Sequence, residues 1–243
     1  MPTPRPSRVW SVGAALLAVA ALAWWQQRAS DDANHVHRSD AAQPAPVAAG
    51  SVNGSAFADF EHYVLSLSWL PQYCATDGRD DIEQCGTHGR YGFIVHGLWP
   101  QHERGYPENC SSDRSVAGRD IERMLDLMPS ERLIRHEWAK HGACSGLDSR
   151  AYFDAVRAAH ASVRIPDGFA SGNIRVQTSA ASVRDQFLRS NPDLERDSVV
   201  LRCEGQYLAE VQVCMDRGFH ARSCGAGVRS NCRGNTLIVR PLR

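Results

Sequence analysis

A chain of 243 residues suits one large domain or two small ones, and 27 Lys+Arg against 27 Asp+Glu give it a formal net charge of +0. Residues 1–50 hold four of the arginines and three of the aspartates, so the remainder carries 23 basic and 24 acidic residues and stays near neutral. That excludes the broad basic surface used by nonspecific nucleic-acid binders; a polyanionic ligand has to be held by a local site.

The chain opens with Arg5 and Arg8 ahead of an apolar run from Val9 to Trp25, the pattern of an export signal, with Ala21-Leu22-Ala23 as a small-x-small cleavage site. The run is at the lower length limit for a spanning helix, so residues 1–25 are read as a cleaved signal peptide, with an uncleaved anchor left open. Residues 26–55 are polar, rich in Ala, Pro, Gly and Asp, and lack an apolar period, which predicts a flexible linker. His35 and His37 fall within it and hold at most an adventitious metal. The folded domain is expected over 56–243.

Tyr63, Leu65, Leu67 and Trp69 alternate with Val64, Ser66 and Ser68, which predicts a strand with one apolar face, ended by Pro71. A polar loop from Cys74 to Arg90 follows. Tyr91 to Val95 predicts a second strand with His96 at its end, before Gly97-Leu98-Trp99-Pro100-Gln101, a position that faces a cleft. Residues 119–128 predict an amphipathic helix with Ile121, Met124, Leu125 and Met128 inward, broken by Pro129.

Ser130 then caps a central helix that carries Leu133 to Cys144. On that helix Glu137, Lys140, His141 and Cys144 fall on one stripe, and His136 flanks it one turn from Lys140. A carboxylate, an ammonium and two imidazoles on one face make a poor core and a good site for proton chemistry. Gly142 is expected to terminate the helix. Further on come a helix over about 149–160 behind a cap at Asp148, burying Tyr152, Phe153 and Val156, and a Pro/Gly loop at 165–173. A helix from Ser179 or Ser182 to about Arg189 stops at Asn191-Pro192, and strands follow near 198–203, 207–216 and 236–241.

Eight cysteines, Cys74, Cys85, Cys110, Cys144, Cys203, Cys214, Cys224 and Cys232, all follow the export segment. An even number there implies disulfides in an oxidising compartment, periplasmic or secreted, though spacing alone does not choose the pairs. No C-x-x-C occurs, which argues against zinc ribbons and a thioredoxin-like site. The fold class that emerges is α+β: a central antiparallel sheet with several helices packed on it, stapled by disulfides.

Two plainer readings compete at the central helix. Charged helical residues usually form a solvated face, which fits any one of them better than it fits the set. His-Glu also opens a zinc metalloprotease motif, but that motif spaces its histidines at i and i+4, whereas His136 and His141 are five apart and diverge round the helix. No metal site is expected. Composition adds one clue: Lys140 is the only lysine in a chain whose other basic residues are all arginine. A lysine kept there marks a place for a compact point charge rather than a planar fork.

Phe93-Ile94-Val95-His96-Gly97-Leu98-Trp99-Pro100 and His136-Glu137-Trp138-Ala139-Lys140-His141-Gly142-Ala143-Cys144 resemble, in order and separation, the two active-site segments of the ribonuclease T2 family. The likeness runs from about Tyr63 to Leu242. It implies an α+β fold, metal-independent endonucleolytic cleavage of RNA without a cofactor, and the pairs Cys110–Cys144, Cys203–Cys232 around Cys214–Cys224, and Cys74–Cys85. It also implies His141 as base, His96 as acid, Lys140 on the phosphorane oxygens, His136 on the phosphate, and Glu137 orienting these groups or shifting their acidity.

The chemistry agrees. RNA carries its own nucleophile, the 2′-hydroxyl, so the protein need supply only a base, an acid and positive charge. Two imidazoles can provide one neutral and one protonated ring near neutral pH. Trp99 is the candidate for stacking a base, with Tyr73, Tyr91 and Tyr106 as looser ones, and Gln101 can contact a base edge. Some members of the resembled family carry an acidic residue where Gln101 stands, so no base preference is carried over. The expected partner is single-stranded RNA, not DNA or a metal, acted on by a monomer. The alternatives on the same fold are a non-catalytic RNA-binding domain and an extracellular interaction or toxin module.

Overall fold

The computed structural model describes residues 59–86, 91–172 and 176–242, all within one compact unit, Val52–Arg243. The export segment, the linker with His35 and His37, and residues 56–58 lie outside the described residues. Among those described, no helix is long and apolar enough to cross a membrane.

The first strand, β1 (His62–Trp69), lies between β2 (Phe93–Gln101) and β5 (Tyr207–Met215), antiparallel to both, and β4 (Val199–Glu204) pairs antiparallel with β5. Two short strands, β3 (Gln177–Thr178) and β6 (Leu237–Ile238), complete a six-stranded sheet, and β6 meets β5 through one parallel pairing at Tyr207. The ladder is written in its side chains. Leu65 and Leu67 stand opposite Val213 and Val211, which also face Val199 and Leu201 of β4. All six are buried, and branched residues of this kind pack well on a pleated surface.

The first strand was expected to have one apolar face, but Val64 and Ser66 are as buried as Leu65, because this is a central strand covered on both sides. Pro71 ends it by entering the first turn of α1 (Leu70–Tyr73), where a missing N–H costs nothing. The loop after it contains α2 (Ile82–Cys85), capped by Asp81. The second strand does not stop at Val95 but runs to Gln101; Pro100 is tolerated because β2 is an edge strand. The helix expected over 119–128 is only α3 (Gly118–Glu122) followed by turns. Ile121, Met124 and Met128 do point inward, whereas Leu125 is 40% exposed.

The central helix, α4 (Glu131–Lys140), starts at Ser130, whose hydroxyl accepts from the Leu133 N–H at 3.2 Å, and it buries Ile134 and Trp138. It ends at Lys140, earlier than expected, and a tight turn carries Gly142–Cys144. Gly142 is not needed for a left-handed cap. A Cβ there would lie 2.7 Å from both Trp138 and Tyr152, so glycine is required by close packing.

Helix α5 (Ser149–Ala161) follows its Asp148 cap and buries Tyr152, Phe153 and Val156 as expected. Tyr152 donates to the Leu98 carbonyl at 3.0 Å and so ties this helix to β2. The 165–173 loop is in part helical, α6 (Asp167–Ser171). Ser179, not Ser182, caps α7 (Ala180–Ser190) by accepting from the Ser182 N–H. The last expected strand shrinks to the two residues of β6.

All four cysteine pairs implied by the family resemblance are formed: Cys74–Cys85, Cys110–Cys144, Cys203–Cys232 and Cys214–Cys224. Cys110–Cys144 closes a separation of 34 residues and pins the chain just after α4. In the loop-entropy picture such a closure contributes about 3–4 kcal/mol. The Asn109 N–H also donates to the Lys140 carbonyl at 2.8 Å, so the end of α4 is held twice.

Candidate active site

The register between β1 and β2 slips at one point: Ser66 faces Gly97, but Leu67 faces Val95. His96 is the extra residue of this bulge. A bulge re-aims a side chain out of the ladder's alternation, and it does so here in the middle of a strand rather than at its end. The next residue has to be glycine, because a Cβ on Gly97 would overlap the Glu137 carboxylate and the Trp99 indole. From the other side α4 contributes His136, Glu137 and Lys140. His141 turns away from the helix, with φ −121° and ψ −47°.

These segments meet in a cleft of about 220 Å³ lined by His96, Trp99, Gln101, Tyr106, His136, Glu137, Lys140 and His141. Every residue expected to act on substrate is there, with Tyr106 added. The other two tyrosine candidates are not: Tyr73 bonds to Asp81 at 3.0 Å and Tyr91 is elsewhere on the surface. His141 lies beside both Trp99 and Tyr106, with ring centroids 5.3 and 5.7 Å apart. Its Nδ1 is buried and has no hydrogen-bond partner among the described residues, which leaves Nε2 to the cleft.

The centre of the site is a chain of polar contacts. Trp99 Nε1 donates to Glu137 Oε2 at 2.7 Å, and the other Glu137 oxygen lies 3.5 Å from His96 Nε2. His96 Nδ1 is 2.7 Å from Oε1 of Glu210, a residue of β5. Glu210 Oε2 accepts from Ser66 Oγ at 3.1 Å and from Gln212 Nε2 at 3.0 Å. Lys140 Nζ is 3.9 Å from Glu108 Oε2 at the rim, both groups partly exposed, so this ion pair is weak and leaves the ammonium available.

Sequence reasoning did not single out Glu210. The signal was present, since Glu210 and Gln212 are polar positions inside an otherwise apolar strand. It could not be read without the register that sets them opposite Ser68 and Ser66.

The electrostatics separate the two central imidazoles. Burial pulls His96 down, but the Glu210 hydrogen bond and the charges of Glu137 and Glu210 outweigh it and raise its pKa above the ordinary histidine value. His141 is pushed down to about 3, by burial first and then by Lys140, His136 and His96. His136 is also lowered, by burial and by Lys140. The two carboxyls beside His96 diverge as well. Burial raises Glu137, against the pull of His96 and Trp99. Burial also acts to raise Glu210, but its bonds to His96, Ser66 and Gln212 prevail and lower it. Glu210 is therefore the carboxylate held ionised. Two titratable groups driven apart in one cleft are the usual mark of an acid and a base. Among the described residues no group of three or more His, Cys, Asp or Glu side chains is arranged to hold a metal ion.

The sequence profile of the Ribonuclease T2 family matches residues 60–224. A ribonuclease from Aeromonas hydrophila is 44% identical over 94 residues, 39% of this chain and 42% of that protein. The chain thus spans less than half the length of that relative. Ribonuclease I from Escherichia coli (strain K12) is 27% identical over 202 residues, 65% of this chain and 75% of its own length. Among solved structures, RNase NT in complex with 5′-AMP superposes with a TM-score of 0.61 at 22% identity, covering 76% of this chain and all of that one.

Proposed function

The chain belongs to the ribonuclease T2 family, and from that premise we propose that it is an endoribonuclease that cleaves single-stranded RNA through a 2′,3′-cyclic phosphate to 3′-phosphate ends, without a metal or other cofactor. The observation that carries this reading is the opposed acidity of His96 and His141 in one cleft.

In this mechanism His141, neutral at physiological pH, takes the proton of the 2′-hydroxyl as that oxygen attacks the scissile phosphorus. His96, protonated, delivers a proton to the 5′-oxygen as its bond to phosphorus breaks. A bound phosphate adds negative charge near His141 and raises its proton affinity from the low value of the empty cleft, which improves it as a base. Lys140 stabilises the charge on the phosphorane oxygens, and His136, on the cleft wall beside it, holds the phosphate. Glu137, fixed by the Trp99 indole and facing His96, orients that imidazole. In the second stage the roles reverse: His96, now neutral, activates water, and His141, now protonated, returns its proton to the 2′-oxygen.

Trp99 and Tyr106 flank His141 with flat aromatic surface on which a base can stack, and Gln101 offers an amide to a base edge. The substrate is held by this cleft and not by overall charge, and one copy of the chain supplies every group the mechanism uses. Export to the periplasm or the medium follows from the apolar segment 9–25 and is supported by four disulfides, which persist in oxidising compartments. The catalytic domain is residues 56–243, with the linker before it.

DNA lacks the 2′-hydroxyl and should not be cut. The test is an RNA oligonucleotide beside its all-deoxy counterpart at equal concentration. The expected result is cleavage of the first alone; comparable rates on both would overturn the proposed mechanism.

A further inference from the structure

We propose that Glu210 is the positioning residue of His96: it holds the Nδ1–H and so fixes the tautomer that presents Nε2 to the departing 5′-oxygen. This rests on the reading of His96 as the acid.

Glu210 does not border the cleft, and it reaches His96 only because of the sheet's order. Strand β1 separates β5 from β2, so the two residues stand about two strand spacings apart, roughly 10 Å. A glutamate and a histidine can bridge that span only if the intervening strand presents small side chains. β1 does so, with Ser68 opposite Glu210 and Ser66 opposite Gln212 and Gly97. The bulge at His96 supplies the other half of the reach. Ser66 and Gln212 occupy one Glu210 oxygen and leave the other to His96 at 2.7 Å. Among the described residues Glu210 has no ion-pair partner other than His96, and Arg202, its cross-strand neighbour, bonds instead to the Arg229 carbonyl.

An ionised carboxylate on Nδ1 does two things. It disfavours the neutral tautomer with a bare Nδ1, which would set a lone pair against the carboxylate, and it favours the doubly protonated ring that can act as an acid. Charged or titratable groups also face His96 from α4 and its end, namely Glu137, His136, Lys140 and His141. They remain in place when only Glu210 is altered.

The test uses the full chain with Glu210→Gln and two substrates that share their 5′ nucleoside: a dinucleoside phosphate, and the nucleoside 3′-(4-nitrophenyl phosphate). The first leaves as an alkoxide that needs a proton; the second leaves as a stable phenolate that does not. The expected result is a fall of about 10²-fold or more in kcat on the dinucleoside phosphate with KM little changed, and a change of only a few-fold on the aryl ester. The alkaline limb of the kcat profile should move to lower pH, because removing the carboxylate charge lowers the pKa of His96. Equal losses on both substrates, or wild-type turnover of the dinucleoside phosphate, overturn the proposal.

His96→Ala run alongside separates two failures. If it is not selective for the poor leaving group, the acid assignment itself falls; if it is selective and Glu210→Gln is not, only the role of Glu210 falls. Should Glu210→Gln fail to fold, Glu210→Asp carries the same test, since it shortens the reach while keeping the charge. A loss confined to the dinucleoside phosphate then supports the proposal, and equal loss on both or no loss overturns it.

Discussion

His96→Ala and His141→Ala should each lower kcat on RNA by about 10²–10⁴-fold, the usual contribution of a positioned acid or base. Both should keep the far-ultraviolet circular dichroism of the parent. His96 retains 35% of its side-chain surface exposed, so its removal leaves no closed cavity. His141 is buried against Trp99 and Tyr106, and its loss should also lower the melting temperature. The losses should not multiply in the double variant, because the two imidazoles serve one transition state. Near-parental activity in either single variant removes that residue from the mechanism. The pH profile follows from the opposed shifts. Activity needs His96 charged and His141 neutral, so it declines on the alkaline side as His96 loses its proton and on the acid side as His141 gains one.

Lys140→Met should cost about 10²–10³-fold in kcat, the scale of one donor aimed at charge that develops in the transition state, with a smaller rise in KM. Lys140→Arg should be impaired as well, though less. It keeps the charge but replaces a point donor with a wide planar fork in a cleft of only about 220 Å³. In a chain that otherwise uses arginine throughout, full activity of Lys140→Arg would mark the lysine as incidental. Steady-state kcat and KM on a short RNA decide between these outcomes.

Much of this site could be read from residue types at fixed spacing, and the limits of that reading are physical. The stripe of Glu137, Lys140, His141 and Cys144, with His136 beside it, is legible because helical periodicity is local. The helix ends at Lys140, two residues before Gly142, the terminator the sequence suggests; close packing against Trp138 and Tyr152 is what requires that glycine. His96 was placed at a strand end because Gly97 and Pro100 read as breakers. In fact the chain continues as an edge strand, and the glycine makes room for Glu137. The burial of Ser66 and the partnership of Glu210 with His96 depend on strand order and register across the sheet, which no local pattern encodes. Leu125 was assigned inward by a period that the chain abandons after Glu122.

The ends of the cleaved strands test the proposed mechanism most directly. Purified protein is incubated with a short RNA of defined sequence in excess EDTA, and the product termini are followed in time by mass spectrometry. The result predicted is undiminished cleavage, 5′-hydroxyl ends on one fragment, and on the other a 2′,3′-cyclic phosphate that appears first and gives way to a 3′-phosphate. Fragments bearing 5′-phosphate and 3′-hydroxyl ends, or cleavage abolished by EDTA, would contradict it.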